Sequence, residues 1–157
     1  MEKISVLFVC LGNICRSPAA EALFIQQIKE RGIEDRFLVD SAGTGSWHVG
    51  KKADKRMRLA AKNRKVDITS KARQINGNDF QKFNYILTMD NSNYNNVISI
   101  KNREKCSDLC KVIKIQEFAS SFYEKEVPDP YFGGEEGFDY VLDILEDSVS
   151  CFLEDIT

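Results

Sequence analysis

Ile4-Ser5-Val6-Leu7-Phe8-Val9-Cys10-Leu11-Gly12-Asn13-Ile14-Cys15-Arg16-Ser17-Pro18 is the stretch on which the fold turns. Ile4 to Val9 is β-branched and aromatic with one polar interruption, the pattern of a buried strand. Leu11-Gly12-Asn13 then breaks the run as a turn. A helix is expected directly afterwards, with Ser17 as N-cap, Pro18 at the first helical position and Glu21 complementing the helix dipole. Ala20, Leu23, Phe24 and Ile28 recur on one face of it, and Gly32 ends it. Cys10 and Arg16 bracket the turn as a C-x5-R pair. That spacing alone is weak, since it arises often by chance, but its setting is not. A loop that leaves a strand end, carries Gly12 and Asn13 and closes on a helix start can curl around an anion, because its N–H groups and the helix N-terminus converge on one point. Cys10 lies beneath that point. The same donors favour thiolate over thiol, and Arg16 adds a planar fork suited to two phosphoryl oxygens. A merely structural cysteine at the strand end would need neither the glycine turn nor the arginine at the helix mouth.

Outward from this unit, Arg36 to Ala42 reads as a second strand, followed by a glycine-rich loop from Gly43 to Gly50 that carries Trp47. The pattern predicts a helix over Arg56 to Asn63, a helical turn near Asp79 to Phe83, and strands over Tyr85 to Met89 and Val112 to Ile115. Phe138, Val141, Leu142, Leu145, Val149 and Phe152 share one helical face, so the last segment is an amphipathic helix with its acids toward water. Strands alternating with helices imply an α/β fold, a parallel sheet with right-handed crossovers and helices on both faces. Ligands bind such sheets beyond the carboxyl ends of the strands, which is where the Cys10 loop falls. Glu124 to Gly137 is rich in proline, glycine and acids and fits no element. An irregular stretch of that length points to function.

A chain of 157 residues fits one domain, 1–157, able to build a core without metals or disulfides. Its 43% hydrophobic and 29% charged residues are the balance of a globular protein rather than a disordered one. The apolar run from Ile4 to Leu11 is too short to span a bilayer, and no basic n-region or cleavage site marks an export signal, so a cytoplasmic protein without a membrane partner is expected. Cys10, Cys15, Cys106, Cys110 and Cys151 are an odd set for a disulfide framework and are expected to be mostly reduced. His48 is the one histidine and no paired C-x-x-C motifs occur, so neither a metal nor a cofactor is expected, and Cys106 and Cys110 read as ordinary thiols. The net charge of −2 conceals an asymmetry: Lys51 to Lys65 holds eight basic residues against Asp54, whereas Glu124 to Thr157 holds eleven acids against Lys125. Solvated helix faces are the simpler reading of both, and the overall balance does not suit nucleic acid.

The loop from Cys10 to Pro18 resembles the signature loop of the low-molecular-weight protein-tyrosine phosphatases. Asp40-Ser41-Ala42, Trp47-His48-Val49-Gly50, Ala72-Arg73-Gln74-Ile75, Tyr85-Ile86-Leu87-Thr88-Met89-Asp90 and Asp129-Pro130-Tyr131-Phe132 resemble further family landmarks in family order, so nearly the whole chain is covered. The resemblance implies a four-stranded parallel sheet in a three-layer sandwich. It also implies metal-free hydrolysis of phosphotyrosine and small aryl phosphates through a phosphocysteine on Cys10. Arg16 and the loop residues Leu11, Gly12, Asn13, Ile14, Cys15 and Ser17 would bind the phosphoryl group. Ser17 would donate to the Cys10 thiolate, and Asn13 with Ser41 would hold the loop's shape. Asp129 would act as general acid and then as base, although Asp-Pro also makes a turn, and Glu126 and Glu135 are the nearest competitors. Trp47, Tyr131 and Phe132 are expected to wall a cleft floored by Leu11 and deep enough to keep phosphoserine from Cys10. Cys15 resembles the family's second loop cysteine, able to pair with Cys10 under oxidation. The implied partners are phosphotyrosine-containing proteins, with inorganic phosphate or similar oxyanions as inhibitors. A monomer is expected.

Ile14 stands where relatives that act on phosphoarginine tend to carry threonine, which favours phosphotyrosine. Ser70 stands where many relatives place a histidine that orients the loop asparagine, and this departure bears on the Asn13 network. Regulation through Tyr131 and a docking role for residues 51–65 stay open at this level. A thiol-dependent arsenate reductase shares the fold and a similar loop, but needs two further redox cysteines near the third strand, where this chain has Thr88-Met89-Asp90. A phosphotyrosine-binding module without turnover is disfavoured by the complete set of expected catalytic side chains.

Overall fold

Four parallel strands form one sheet in a computed structural model that describes residues 2–104 and 109–157. In chain order the elements are β1 (Ile4–Cys10), α1 (Arg16–Glu30), β2 (Phe37–Gly43), α2 (Lys55–Lys62), α3 (Asp79–Lys82), β3 (Tyr85–Thr88), α4 (Asn91–Arg103), β4 (Lys111–Lys114) and α5 (Glu135–Ile156). Short 3-10 turns occupy Glu34–Arg36 and Ile115–Phe118. The strand order β2-β1-β3-β4 puts β1 in the interior, with Cys10 opposite Gly43 of β2 and Val9 opposite Thr88 of β3.

Alternation along β1 feeds two cores. Val6 and Phe8 pack with Leu23, Phe24 and Ile28 of α1, Met57 and Ala61 of α2, and the apolar stripe of α5. Leu7 and Val9 point the other way, onto Phe80, Ile86 and Val97. Helices therefore cover both faces, as expected of a parallel sheet buried on both sides. Phe24 anchors the larger core, with ring centroids 5.7 Å from Phe8, 5.3 Å from Phe37 and 6.0 Å from Phe152. Burying each such ring stabilises the fold by about 1.5–3 kcal/mol.

Three expectations need correction. Ser17 does not cap α1, which starts at Arg16 behind Cys15 and has no side-chain cap. The Ser17 hydroxyl turns inward instead. Glu21 lies beyond the first turn and is buried, so it does not serve the helix dipole from the surface. The irregular stretch ends at Gly134, because α5 already begins at Glu135. The sequence reading also had no place for α4. Asp90 caps it by accepting the Asn93 N–H at 2.7 Å, but only Asn93 and Val97 are buried, too few to announce a face. Of the two later thiols, Cys110 is buried at the entry to β4, and Cys106 lies outside the described residues.

Candidate active site

Where β1 stops, residues 11–15 turn back over the strand end before α1 begins. Asn13 makes the turn possible by adopting φ 57°, a left-handed conformation that asparagine tolerates better than most residues. Gly43, on the neighbouring strand, leaves the room: a Cβ there would stand 2.7 Å from the Leu11 carbonyl oxygen and 3.0 Å from the Asn13 nitrogen. Cys10, 2% exposed, lies beneath this loop, with its Sγ 3.3 Å from the Asn13 N–H donor and 3.0 Å from Ser17 Oγ.

Counting protons shows how the loop is closed. Asn13 Nδ2 donates to Ser17 Oγ at 2.8 Å and to Ser41 Oγ at 3.0 Å, which uses both amide protons. Its Oδ1 accepts from the Arg73 backbone at 3.0 Å. Ser41 passes its own proton to Glu21 Oε1 at 2.6 Å. Ser17 Oγ already accepts from Asn13, and the Ala42 carbonyl is farther off at 3.4 Å, so the Ser17 proton is available to the Cys10 sulfur. Burial pushes the Glu21 carboxyl up, opposed by its hydrogen bond to Ser41, reinforced by Asp40, and opposed again by Ser70 and Arg73. Ser70 thus meets the network at Glu21 rather than at Asn13.

Arg16 is 3% exposed and anchored through Nη1, which donates to Asp90 Oδ2 at 2.6 Å and to the Val127 carbonyl at 3.0 Å. Its Nη2 lies 3.6 Å from Asp129 Oδ2. Burial opposes the charge, but Cys10, Asp90 and Asp129 together hold the guanidinium above its ordinary value. One nitrogen fixes the plane, and the edge facing the cleft is left for an anion. Cys15 is buried in the same cleft. Burial first, then the charges of Asp54, Cys10 and Asp129, push its thiol far up, so it stays protonated at neutral pH.

The cleft above Cys10 has a volume of about 140 Å³, far beyond the roughly 10–15 Å³ that one water needs. Leu11, Gly12, Ile14, Cys15 and Arg16 line its base, and Trp47, His48, Asp129, Tyr131 and Phe132 its sides. Trp47 and Phe132 are 68% and 95% exposed, so neither is a core residue. The Trp47 ring packs on Gly45, where a Cβ would come within 1.8 Å of it. Tyr131 is clamped by Arg56, which donates to its carbonyl at 2.9 Å and sits 5.6 Å from its ring centroid. Asp129 is both the turn residue and a cleft residue, since its Oδ1 accepts the Tyr131 N–H at 3.1 Å. Its competitors are elsewhere: Glu126 accepts the Asn91 N–H, and Glu135 lines a separate groove beside Leu59.

Every residue expected at the loop and the cleft is thus brought together, with Ser41 one hydrogen bond behind. Sequence reading assigned no part in the site to Asp90, Glu21, Arg73, Arg56 or His48. Asp90 could have been found, because it directly follows a strand whose carboxyl end borders the site. The other partners are chosen by the tertiary fold.

A strand-end loop of amides over a buried cysteine, with an arginine fork and a carboxylate at its mouth, is a donor arrangement suited to an oxyanion above the sulfur. Residues 5–157 match the family described as low molecular weight phosphotyrosine protein phosphatase. The protein of that name from Schizosaccharomyces pombe is 42% identical over 156 residues, covering 99% of this chain and 98% of the relative. A crystal structure of a protein tyrosine phosphatase from Entamoeba histolytica with Hepes in the active site superposes with TM-score 0.91 at 41% identity, over 98% of this chain and 97% of that one. The crystal structure of the Drosophila arginine phosphatase gives TM-score 0.91 at 33% identity, over 97% of each chain. The chain belongs to the low molecular weight phosphotyrosine protein phosphatases.

Proposed function

We propose that this phosphatase hydrolyses phosphotyrosine, and small aryl phosphates, in two steps through a phosphocysteine on Cys10. The observation that carries the reading is the convergence of Asn13 and Ser17 on the Cys10 sulfur below a cleft walled by Arg16 and Asp129. The Cys10 thiolate attacks phosphorus. An S–P bond forms as the P–O bond to the phenol breaks, and Asp129 gives its proton to the departing oxygen. Water then attacks phosphorus, Asp129 takes a proton from it, and the S–P bond breaks to release inorganic phosphate and the thiolate. Ser17 steadies that leaving sulfur, while Arg16 and the amides from Leu11 to Ser17 hold the phosphoryl oxygens throughout.

Trp47, Tyr131 and Phe132 suit a flat aryl group. The Drosophila neighbour is named an arginine phosphatase. Here Ile14 lines the cleft, and an apolar side chain offers a guanidinium no acceptor, which supports phosphotyrosine. Cys15 is the partner we assign to Cys10 under oxidation. Cys110 is level with Ser5 in the sheet register, about 16 Å below Cys10 at the usual rise per strand residue, beyond disulfide reach. A thiolate nucleophile needs a reducing compartment, so a cytoplasmic setting belongs to the proposal. So do phosphotyrosine-containing proteins as partners, phosphate-like oxyanions as inhibitors and a monomeric working state. Among the described residues no helix is long and apolar enough to cross a membrane.

Rapid-quench hydrolysis of p-nitrophenyl phosphate with a chelator present tests the reading. The expected result is a burst of nitrophenol with a phosphoryl group trapped on the Cys10 peptide. Turnover that leaves Cys10 unlabelled would overturn it, and so would thiol-dependent reduction of arsenate without phosphate-ester hydrolysis.

A further inference from the structure

Resting on the phosphatase reading above, we propose that Lys51, Lys52, Lys55, Arg58 and Lys71 form a docking edge for acidic residues flanking the phosphotyrosine, making acidic phosphopeptides the preferred substrate class. The segment from 48 to 56 starts on one cleft wall at His48 and is tied to two further parts of the cleft. Lys51 N–H donates to the carbonyl of His48, a cleft wall, at 2.9 Å. Asp54 N–H donates to the carbonyl of Ile14, in the loop over Cys10, at 2.7 Å. Arg56 donates to the carbonyl of Tyr131, on the far wall, at 2.9 Å. The segment thus runs along the rim from one aromatic wall to the other. Lys71 joins it through an antiparallel bridge to Lys52.

Among the described residues, ion pairs neutralise only two members of this basic stretch. Arg64 at its far end is tied to Asp139, Asp143 and Glu146 of α5, and Arg56 to Asp54. Lys51, Lys52, Lys55, Arg58 and Lys71 have no carboxylate partner among the described residues, and all four lysines are exposed. Within this stretch the acids of α5 therefore answer Arg64 alone; Lys62 and Lys65 beside it are as unpaired among the described residues as the lysines near the cleft, and the stretch beside the cleft stays positive. A cationic edge on the rim attracts and orients the acidic flanks of a bound chain without entering the chemistry, over a screening distance of roughly 10 Å at 0.1 M salt. The exposed rings of Trp47 and Phe132 at the same mouth give that chain an apolar footing.

The test compares kcat/KM for two phosphotyrosine peptides of equal length, one flanked by Asp and Glu, the other by Ser and Ala, with p-nitrophenyl phosphate as a reference that cannot reach the edge. The acidic peptide should be preferred about three- to tenfold in low salt, the scale of a few exposed ion pairs. The preference should shrink in about 0.5 M salt. A Lys51→Glu/Lys52→Glu/Lys55→Glu variant should abolish or invert the preference while p-nitrophenyl phosphate turnover stays unchanged. Equal rates for the two peptides, or a variant that slows all three substrates alike, would overturn the docking edge. Flat peptide selectivity combined with lysine-dependent binding to phosphatidylserine vesicles would overturn it too, in favour of a membrane contact. Failure of the wild type to hydrolyse p-nitrophenyl phosphate would instead sink the phosphatase reading beneath it.

Discussion

The two loops that meet over the cleft are built on opposite plans. Residues 10–17 are closed by side-chain hydrogen bonds, and Cys10, Asn13, Arg16 and Ser17 are all buried. Between Val127 and Gly134 only Val127 and Pro130 are buried, and the loop is held by the Val127 bonds to Met89 and Arg16, the Asp129 turn and the Arg56 clamp. The contrast follows from the chemistry each would serve. Phosphoryl oxygens call for dipoles fixed in advance, because donors that need not reorganise stabilise charge best. A proton donor must instead follow leaving groups of different shape.

The largest test of this division is Cys10→Ser, expected to abolish turnover yet still bind phosphate or vanadate within a few-fold of wild type, since the amides and Arg16 remain. Calorimetry would report the binding. A variant with near wild-type rate would break the comparison outright. Asp129→Ala should lower kcat by ~10²–10⁴ for aryl phosphates with poor leaving groups and less for good ones, the usual scale of general-acid help. A loss that ignores leaving-group pKa would move the acid elsewhere, to Glu126 first. Arg56→Ala frees the Tyr131 carbonyl and should raise KM for aryl phosphates about two- to tenfold with little change in kcat, the worth of one hydrogen bond and an exposed cation–π contact. An equal fall in kcat would mean that the second loop is not adjustable.

The smallest effects concern two carboxylates that anchor these regions with opposite signs. Glu21 supports the first loop, and its folded pKa is raised chiefly by burial. It therefore costs stability as pH climbs from the ordinary carboxylate range through the raised value, and Glu21→Gln should flatten that slope. Asp147 holds the segment leading to the second loop by accepting from the amides of Ser120, Ser121 and Phe122 at 2.9–3.1 Å. Burial works against its charge, but the Ser120 hydroxyl and these amides bring it down to about 2. Its contribution is present above the ordinary carboxylate range and lost as pH falls toward 2. Asp147→Asn should remove about 1 kcal/mol at neutral pH once solvent screening is allowed for. Urea midpoints across pH would separate the two, and parallel slopes would contradict both.

The first loop was legible because strand, turn, nucleophile and arginine are contiguous and each carries a local signal. Ser17 was misread for the same reason. A serine before proline looks like a cap; its turn toward Cys10 was implied by the resemblance and not by the local pattern, and the fold places the hydroxyl there. Asp90 and Glu21 meet their partners across 74 and 20 residues, a distance at which local patterning is silent. The α4 segment, Asn91–Arg103, escaped because its buried set is only Asn93 and Val97, a single apolar residue. Asp129 was legible through the resemblance, since Asp-Pro alone fits a turn equally well and the structure uses it as one.

Trp47 is the chain's one tryptophan, and it sits on Gly45 at the cleft lip. The protein therefore carries a fluorophore at the one place where occupancy changes, with no second indole to dilute the signal. An aromatic ligand entering over Cys10 should quench or shift its emission, so affinities can be titrated optically on inactive variants without a label. Because the indole is already largely in water, unfolding should move its spectrum little, and a change in emission reports the cleft rather than the core.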